Sequence, residues 1–193
     1  MLLKETRETA ILLSLSKLDY LNRSQLQILH NLGGDRNAQK ILKDMNDKIS
    51  SFRDGESVYY LNAKGRSIVG GKARNKTLQA RHYLMRNYIY IAFDKPDSWK
   101  SEQRLKTQKT KIAVVADAIF YEEQRMHIVE ADHIQKMIKN ERKIEKYRKL
   151  IELNVFGHVP KFVWITTTEY RREKLKRLCE GLDALIFTVS EFS

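Results

Sequence analysis

The stretch MHIVEADHIQ, residues 126–135, runs apolar and then sets Glu130 and Asp132 one residue apart. It reads as a strand, and strand side chains alternate faces, so both carboxylates would project to one side while Val129 and Ala131 project to the other. Two like charges on one face repel. They persist if solvated, if paired with Lys or Arg, or if gathered around a cation, and only the last is chemistry. Lys136, Lys139 and Lys143, in the segment that follows, are the cations at hand for pairing.

The partner class is constrained by charge. A formal net charge of +12 and a pI near 9.7 favour a polyanion, nucleic acid before an anionic membrane. No apolar run approaches the roughly 20 residues that span a bilayer, and MLLKETRETA carries acids where a signal peptide has its apolar core. A cytoplasmic protein with no membrane partner is expected. The one cysteine, Cys179, forms no internal disulfide and excludes a zinc site built from thiolates.

The pattern changes at GGKARNK, residues 70–76, where paired glycines and three cations suggest a linker. This divides the chain into residues 1–72 and 77–193. Residues 1–76 hold 14 Lys and Arg against 8 Asp and Glu, and residues 77–193 hold 22 against 16, so each part carries +6. Both parts can therefore touch the same polyanion.

In the first part, Ile11, Leu12, Leu15 and Leu18 at helical spacing predict one helix, and Leu26, Leu29 and Leu32 behind Asn22 or Ser24 predict a second. A third begins at Gly34 or Asp35, with Ala38, Ile41, Leu42 and Met45 inward and Arg36, Asn37, Gln39, Lys40 and Lys43 outward. That outer face has the composition of a recognition helix: Arg and Lys reach phosphate or guanine, and Asn and Gln pair with adenine edges. Two short strands joined at Arg53-Asp54-Gly55-Glu56 follow. Three helices and a hairpin are the order of a winged helix-turn-helix. Arg53 in the turn, Arg23, Ser24 and Gln25 at the start of the second helix, and Lys64 beyond the hairpin complete the candidate DNA contacts.

The second part predicts a helix through Leu78, His82, Met85 and Ile89, and a short element carrying Glu102. Then come strands over 112–120 and 126–132, a long helix from Ile134 to Leu153, the strand KFVWITTT, a basic helix closed by Gly181, and a last strand. This order is α/β. A hairpin would bring Asp117 near Glu130, and with Asp132 and Glu102 the acids would make a site for a hard cation, Mg²⁺ or Mn²⁺.

The succession VVADAIF, HIVEAD, a long helix containing KIEKYRKL, then FVWITTT and a basic helix resembles the replication-relaxation family of plasmid, phage and conjugative-element proteins. The resemblance covers most of the chain. It implies an N-terminal winged helix-turn-helix followed by a restriction-endonuclease-like mixed-sheet domain, α+β overall. It also implies that Asp117 and Glu130 are metal ligands, with Glu102 as a further helix-type acid. Where the nuclease pattern has Lys two residues after its Glu, this chain has Asp132. Lys136 or Lys143 would then supply the ammonium that offsets developing charge, with Asp132 as a further catalytic acid. Two functions follow. One is sequence-specific binding of double-stranded DNA in replication or relaxation of a mobile element, with metal-dependent nicking. The other is a transcriptional or accessory regulator whose inactive nuclease-like domain dimerises or grips DNA. The long helix from Ile134 could pair with a second copy in a homodimer.

Overall fold

Helical spacing of apolar residues produces the first element, α1 (Leu2–Leu18), which buries Ile11, Leu12, Leu15 and Leu18. The computed structural model describes residues 2–107 and 111–192, and the chain divides into two units, Met1–Asn87 and Tyr88–Ser193.

In the first unit, β1 (Leu21–Asn22) leads directly into α2 (Arg23–His30). Asn22 and Gln25 form a reciprocal capping box that satisfies the first amides of α2. α3 (Asp35–Asp44) starts at Gly34 and buries Ala38, Ile41 and Leu42. β2 (Ile49–Asp54) and β3 (Glu56–Leu61) pair antiparallel and turn at Gly55, where φ is +75° and a side chain would be strained. The two-residue β1, too short to show in the sequence pattern, adds to the other edge of β3. α4 (Ala63–Val69) begins at Asn62, whose side chain accepts the Gly65 amide.

The Gly70–Lys76 stretch does not end this unit. Arg74 pairs with Asp19 at 2.8 Å, and the Tyr20 hydroxyl donates to the Asn75 carbonyl at 2.7 Å. α5 (Ala80–Ala92) then packs Ala80 and Leu84 with Tyr20 and Val58. Asn87 Nδ2 donates to the Leu18 and Tyr20 carbonyls at 3.0 and 2.7 Å. The glycines of GGKARNK mark a change of direction, and local pairing by Arg74 holds the segment to the first unit.

The second unit is a five-stranded sheet of order β4 (Lys100–Lys106), β5 (Ala113–Glu122), β6 (Arg125–Asp132), β7 (Lys161–Thr166) and β8 (Ala184–Thr188). β4, β5 and β6 are antiparallel, and β6, β7 and β8 are parallel, so the sheet is mixed. β4 is the element expected only as a short segment around Glu102, and it forms a sheet edge. The β5–β6 hairpin turns on Glu123 and Gln124, both at positive φ, the type I′ geometry whose twist matches the strands. α6 (Met137–Glu152) and α7 (Glu169–Leu178) cover one face, where Ile144, Tyr147, Leu150 and Leu175 meet Ile128, Phe162, Trp164 and Ile186. On the other face His127 stacks on Phe120 at 4.5 Å, against Phe93. The architecture is the mixed α/β expected from the element order. Among the described residues no helix is long and apolar enough to cross a membrane.

Gly65 is the tightest backbone approach in the first unit: a Cβ there would sit 2.2 Å from the Lys48 carbonyl oxygen. Helix propensity alone favours Gly65→Ala by about 1 kcal/mol. Overpacking against fixed backbone costs about 1–3 kcal/mol, so the substitution should lower the urea midpoint of this unit, as followed by circular dichroism.

Candidate functional site

The two acids of β6 are held in the middle of the sheet, with β5 on one side and β7 on the other. Glu130 is 1% exposed and Asp132 0%. Both meet α6, on the same face, as strand alternation requires. They differ in what they meet.

Asp132 is fully used. It accepts from Asn140 Nδ2 on α6 at 2.8 Å, from Thr166 Oγ1 on β7 at 2.8 Å, and from Arg171 on α7 through Nε at 2.7 Å and Nη2 at 2.5 Å. A carboxylate has about four lone-pair directions, and four donors fill them. Arg171 Nη2 also reaches the Gln135 carbonyl at 2.7 Å. Asp132 thus ties the end of β6 to both covering helices, and the expected catalytic role would require some of these donors to be displaced.

Glu130 accepts from Lys143 Nζ at Oε2 and from the Tyr147 hydroxyl at Oε1, the latter at 2.5 Å. Burial pushes its carboxyl up to about 8, with Asp117 adding to the rise and Lys143 and Tyr147 opposing it. For Lys143 burial works against the ammonium, but the Glu130 and Asp117 carboxylates outweigh it and raise its pKa. The Tyr147 phenol is held well above its ordinary range by burial and then by Glu130.

Asp117 arrives from β5. The β5–β6 ladder runs from the turn only as far as Ala118 and Val129, and beyond it Asp117 Oδ2 takes the Ala131 amide at 2.7 Å. The carboxylate thus satisfies a backbone donor where the strands part. Glu102 falls at the register position opposite Asp117, between the pairs Ser101↔Ala118 and Gln103↔Ala116, with φ +53° and its side chain exposed. It stands on a strand, not the expected helix. Lys136 is the exposed N-cap residue of α6 and makes no side-chain cap bond. Of the two candidate lysines, Lys143 is the one brought to the acids.

These residues do not make a ready cation site. Among the described residues no three His, Cys, Asp or Glu side chains are grouped to hold a metal. Mg²⁺ is commonly held by one or two carboxylates with substrate phosphate supplying further oxygens, which leaves Asp117 and Glu130. Both Glu130 oxygens already carry donors, and the Lys143 ammonium lies where a cation would bind. The expected Mg²⁺ or Mn²⁺ does not fit this arrangement.

The nucleic-acid face predicted in the first unit divides in two. Arg36, Gln39, Lys40 and Lys43 on α3 and Arg53 on the hairpin are exposed. Asn37 is exposed while its Nδ2 donates to the Leu32 carbonyl at 2.7 Å. A shallow concavity lined by Asp35, Arg36, Asn37 and Lys40 opens at the start of α3. A second, lined by Gln39, Lys43, Asn46, Ser51 and Tyr59, opens between α3 and β2. The α2 residues behave otherwise. Gln25 is fully buried, with Nε2 on the Leu84 carbonyl at 2.8 Å, so its side chain supports the fold and is not presented at the surface. Ser24 donates to Glu56, Arg23 pairs with Asp35 at 3.0 Å, and Lys64 pairs with Asp47 at 2.6 Å.

The replication-relaxation family model matches residues 12–161, more than half of the chain and both units. The chain belongs to the replication-relaxation family. Membership associates this protein with replication and relaxation of mobile elements. Among curated proteins none matches it in sequence. Two solved structures are similar to it. VC1899 from Vibrio cholerae is 13% identical with a TM-score of 0.44, over 82% of this chain and 40% of that one. Can2 from Sulfobacillus thermosulfidooxidans, solved in complex with cyclic tetra-adenylate, is 10% identical with a TM-score of 0.38, over 90% of this chain and 47% of that one. The chain spans less than half the length of either.

Arg171, Asn140, Thr166 and Tyr147 are residues of this site that sequence reasoning missed. Tyr147 recurs at helical spacing with Ile144 and Leu150, a pattern that marks core; its hydroxyl is the signal, since a buried phenol needs a partner. Arg171 was one of many cations in a basic helix, and its distinction comes only from tertiary packing.

Two consequences are measurable. Arg171→Met leaves Asp132 buried without its guanidinium, which should destabilise the second unit by about 3–5 kcal/mol in chemical denaturation. Glu130 is raised from 4.5 to about 8, so the folded state keeps a proton that the unfolded chain has lost across that window. Stability from this group is full below pH 4.5 and falls as pH rises through 8. Relative to Glu130→Gln, the parent protein should therefore lose stability between these limits; parallel profiles would contradict the burial argument.

Proposed function

We propose that this protein binds double-stranded DNA through a winged helix in its first unit, acting in replication or relaxation of a mobile element, and that its second unit grips DNA without cutting it. The observation that carries the first clause is the outer face of α3. Arg36, Lys40 and Lys43 are exposed there, make no ion pair among the described residues, and flank Asn37 and Gln39. An α-helix of this size fits the major groove, and this mixture supplies phosphate contacts and base-edge donors together. Arg53 on the hairpin is exposed for a backbone contact.

The second clause rests on Lys143. In the nuclease pattern an ammonium near the acids offsets charge on the reacting phosphate. Here it closes on Glu130, whose other oxygen is held by Tyr147. That arrangement supports an accessory role for the second unit over a nicking enzyme.

The test has two arms. Fluorescence anisotropy should give tighter binding to duplex from the protein's own genetic neighbourhood than to scrambled duplex. Gln39→Ala should relax that preference by about 1–3 kcal/mol, and Lys40→Ala should weaken all fragments and reduce the salt slope by about 1. Supercoiled plasmid carrying the native locus should stay supercoiled with Mg²⁺ or Mn²⁺. Binding without sequence preference would overturn the first clause. Metal-dependent open circle that disappears in Glu130→Ala would overturn the second.

A further inference from the structure

The cations of α6 are sorted. At about 100° per residue, Lys139, Arg142, Lys146 and Lys149 fall within an arc about 80° wide, and all four are exposed. The acids Glu141, Glu145 and Glu152 occupy the neighbouring flank, and Asn140, Ile144, Tyr147 and Leu150 face the sheet. Lys143 lies inside the sheet-facing arc, between Leu150 and Tyr147, where it reaches Glu130.

A charged helix face is ordinarily just solvated, and three features separate this one from that default. Like charges three and four residues apart, as in Lys139 with Arg142 and Arg142 with Lys146, destabilise a helix. Lys139 also lies in the first turn of α6, which holds no acid, and positive charge there opposes the helix dipole, although Lys149 in the last turn agrees with it. None of the four makes an ion pair among the described residues, whereas on α7 Arg171, Arg172 and Lys176 each hold an acid. The helix keeps an arrangement that an external anion would relieve.

We infer that Lys139, Arg142, Lys146 and Lys149 form a track for the phosphodiester backbone of DNA, the grip that the second unit contributes. This rests on the duplex-binding reading above and names the surface that reading leaves open. The dimensions agree. From Lys139 to Lys149 the helix rises about 15 Å, and phosphates of one strand follow at about 3.4 Å along the duplex axis, so four cations meet about four phosphates. Such contacts read charge and spacing, not bases. An anionic lipid surface would want a continuous apolar face beside the cations; here exposed Ile138 and Leu153 are separate side chains, and the flank also carries Glu141, Glu145 and Glu152.

The experiment is a salt series of binding by the full chain, comparing the parent with K139Q/R142Q/K146Q/K149Q and with R36Q/K40Q. The first variant should bind specific and unrelated duplex more weakly by a common factor. Its slope of log K against log salt should be shallower by about 3 to 4, at about 0.9 per phosphate. Its thermal midpoint should stay level or rise, because repulsion has been removed, and the Arg-only variant K139R/K146R/K149R should retain the parent slope. A parent-like slope in the fourfold Gln variant, with the parent binding duplex normally, overturns the track alone. A parent that binds no duplex overturns the duplex-binding reading and the track with it. Binding of the parent to phosphatidylserine vesicles, lost in the fourfold variant while duplex binding stays, assigns the stripe to lipid and also overturns the track.

Discussion

Strand β6 ends in two buried carboxylates, and much of the second unit is arranged to neutralise them. Burying an ion costs several kcal/mol unless it is paired and hydrogen-bonded. Asp132 meets this with an arginine fork, an amide and a hydroxyl drawn from α7, α6 and β7. Glu130 meets it with the Lys143 ammonium and the Tyr147 hydroxyl, and with a carboxyl pushed up to about 8. These pairs set the helix positions: Lys143 and Tyr147 are one turn apart on α6, and Asn140 lies about one turn before Lys143. The face of α6 that meets the sheet is thereby fixed, and so is the face that carries the remaining cations.

The same pairing alters what the constellation can do. An Asp and a Glu from neighbouring strands with a lysine nearby resemble a nuclease centre in composition. Composition is not enough. Asp117 is engaged with the Ala131 amide, Glu130 has a donor on each oxygen, and Asp132 serves Arg171. Charges neutralised within the fold leave the external charge of the protein elsewhere, on α3 and on the outer arc of α6. Each half of the chain carries +6, and in each a helix presents to solvent cations that make no ion pair among the described residues.

Much of this was legible in the sequence. Apolar spacing located the helices and strands β5 to β8 of the larger sheet, and alternation correctly put Glu130 and Asp132 on one side. Lys143 was among the lysines expected near Glu130. What escaped depends on distance in sequence. Arg171 lies 39 residues from Asp132, and nothing local distinguishes it from Arg172. Gln25 read as a polar contact because it opens a helix, yet its amide is buried against Leu84 through a 59-residue separation. The β1 strand is two residues long and shows no periodicity. GGKARNK carries every local mark of a linker, and only the pairing of Arg74 with Asp19 reveals that it is held to the first unit.

The central claim is that DNA meets the protein on α3 and the β2–β3 hairpin. Hydrogen exchange of the full chain, read by mass spectrometry with and without duplex from its own genetic neighbourhood, tests this directly. The expected result is slowed exchange in Asp35–Asp44 and through Ile49–Leu61, with α2 unchanged. Bound duplex that leaves both segments exchanging as in the free protein would contradict it.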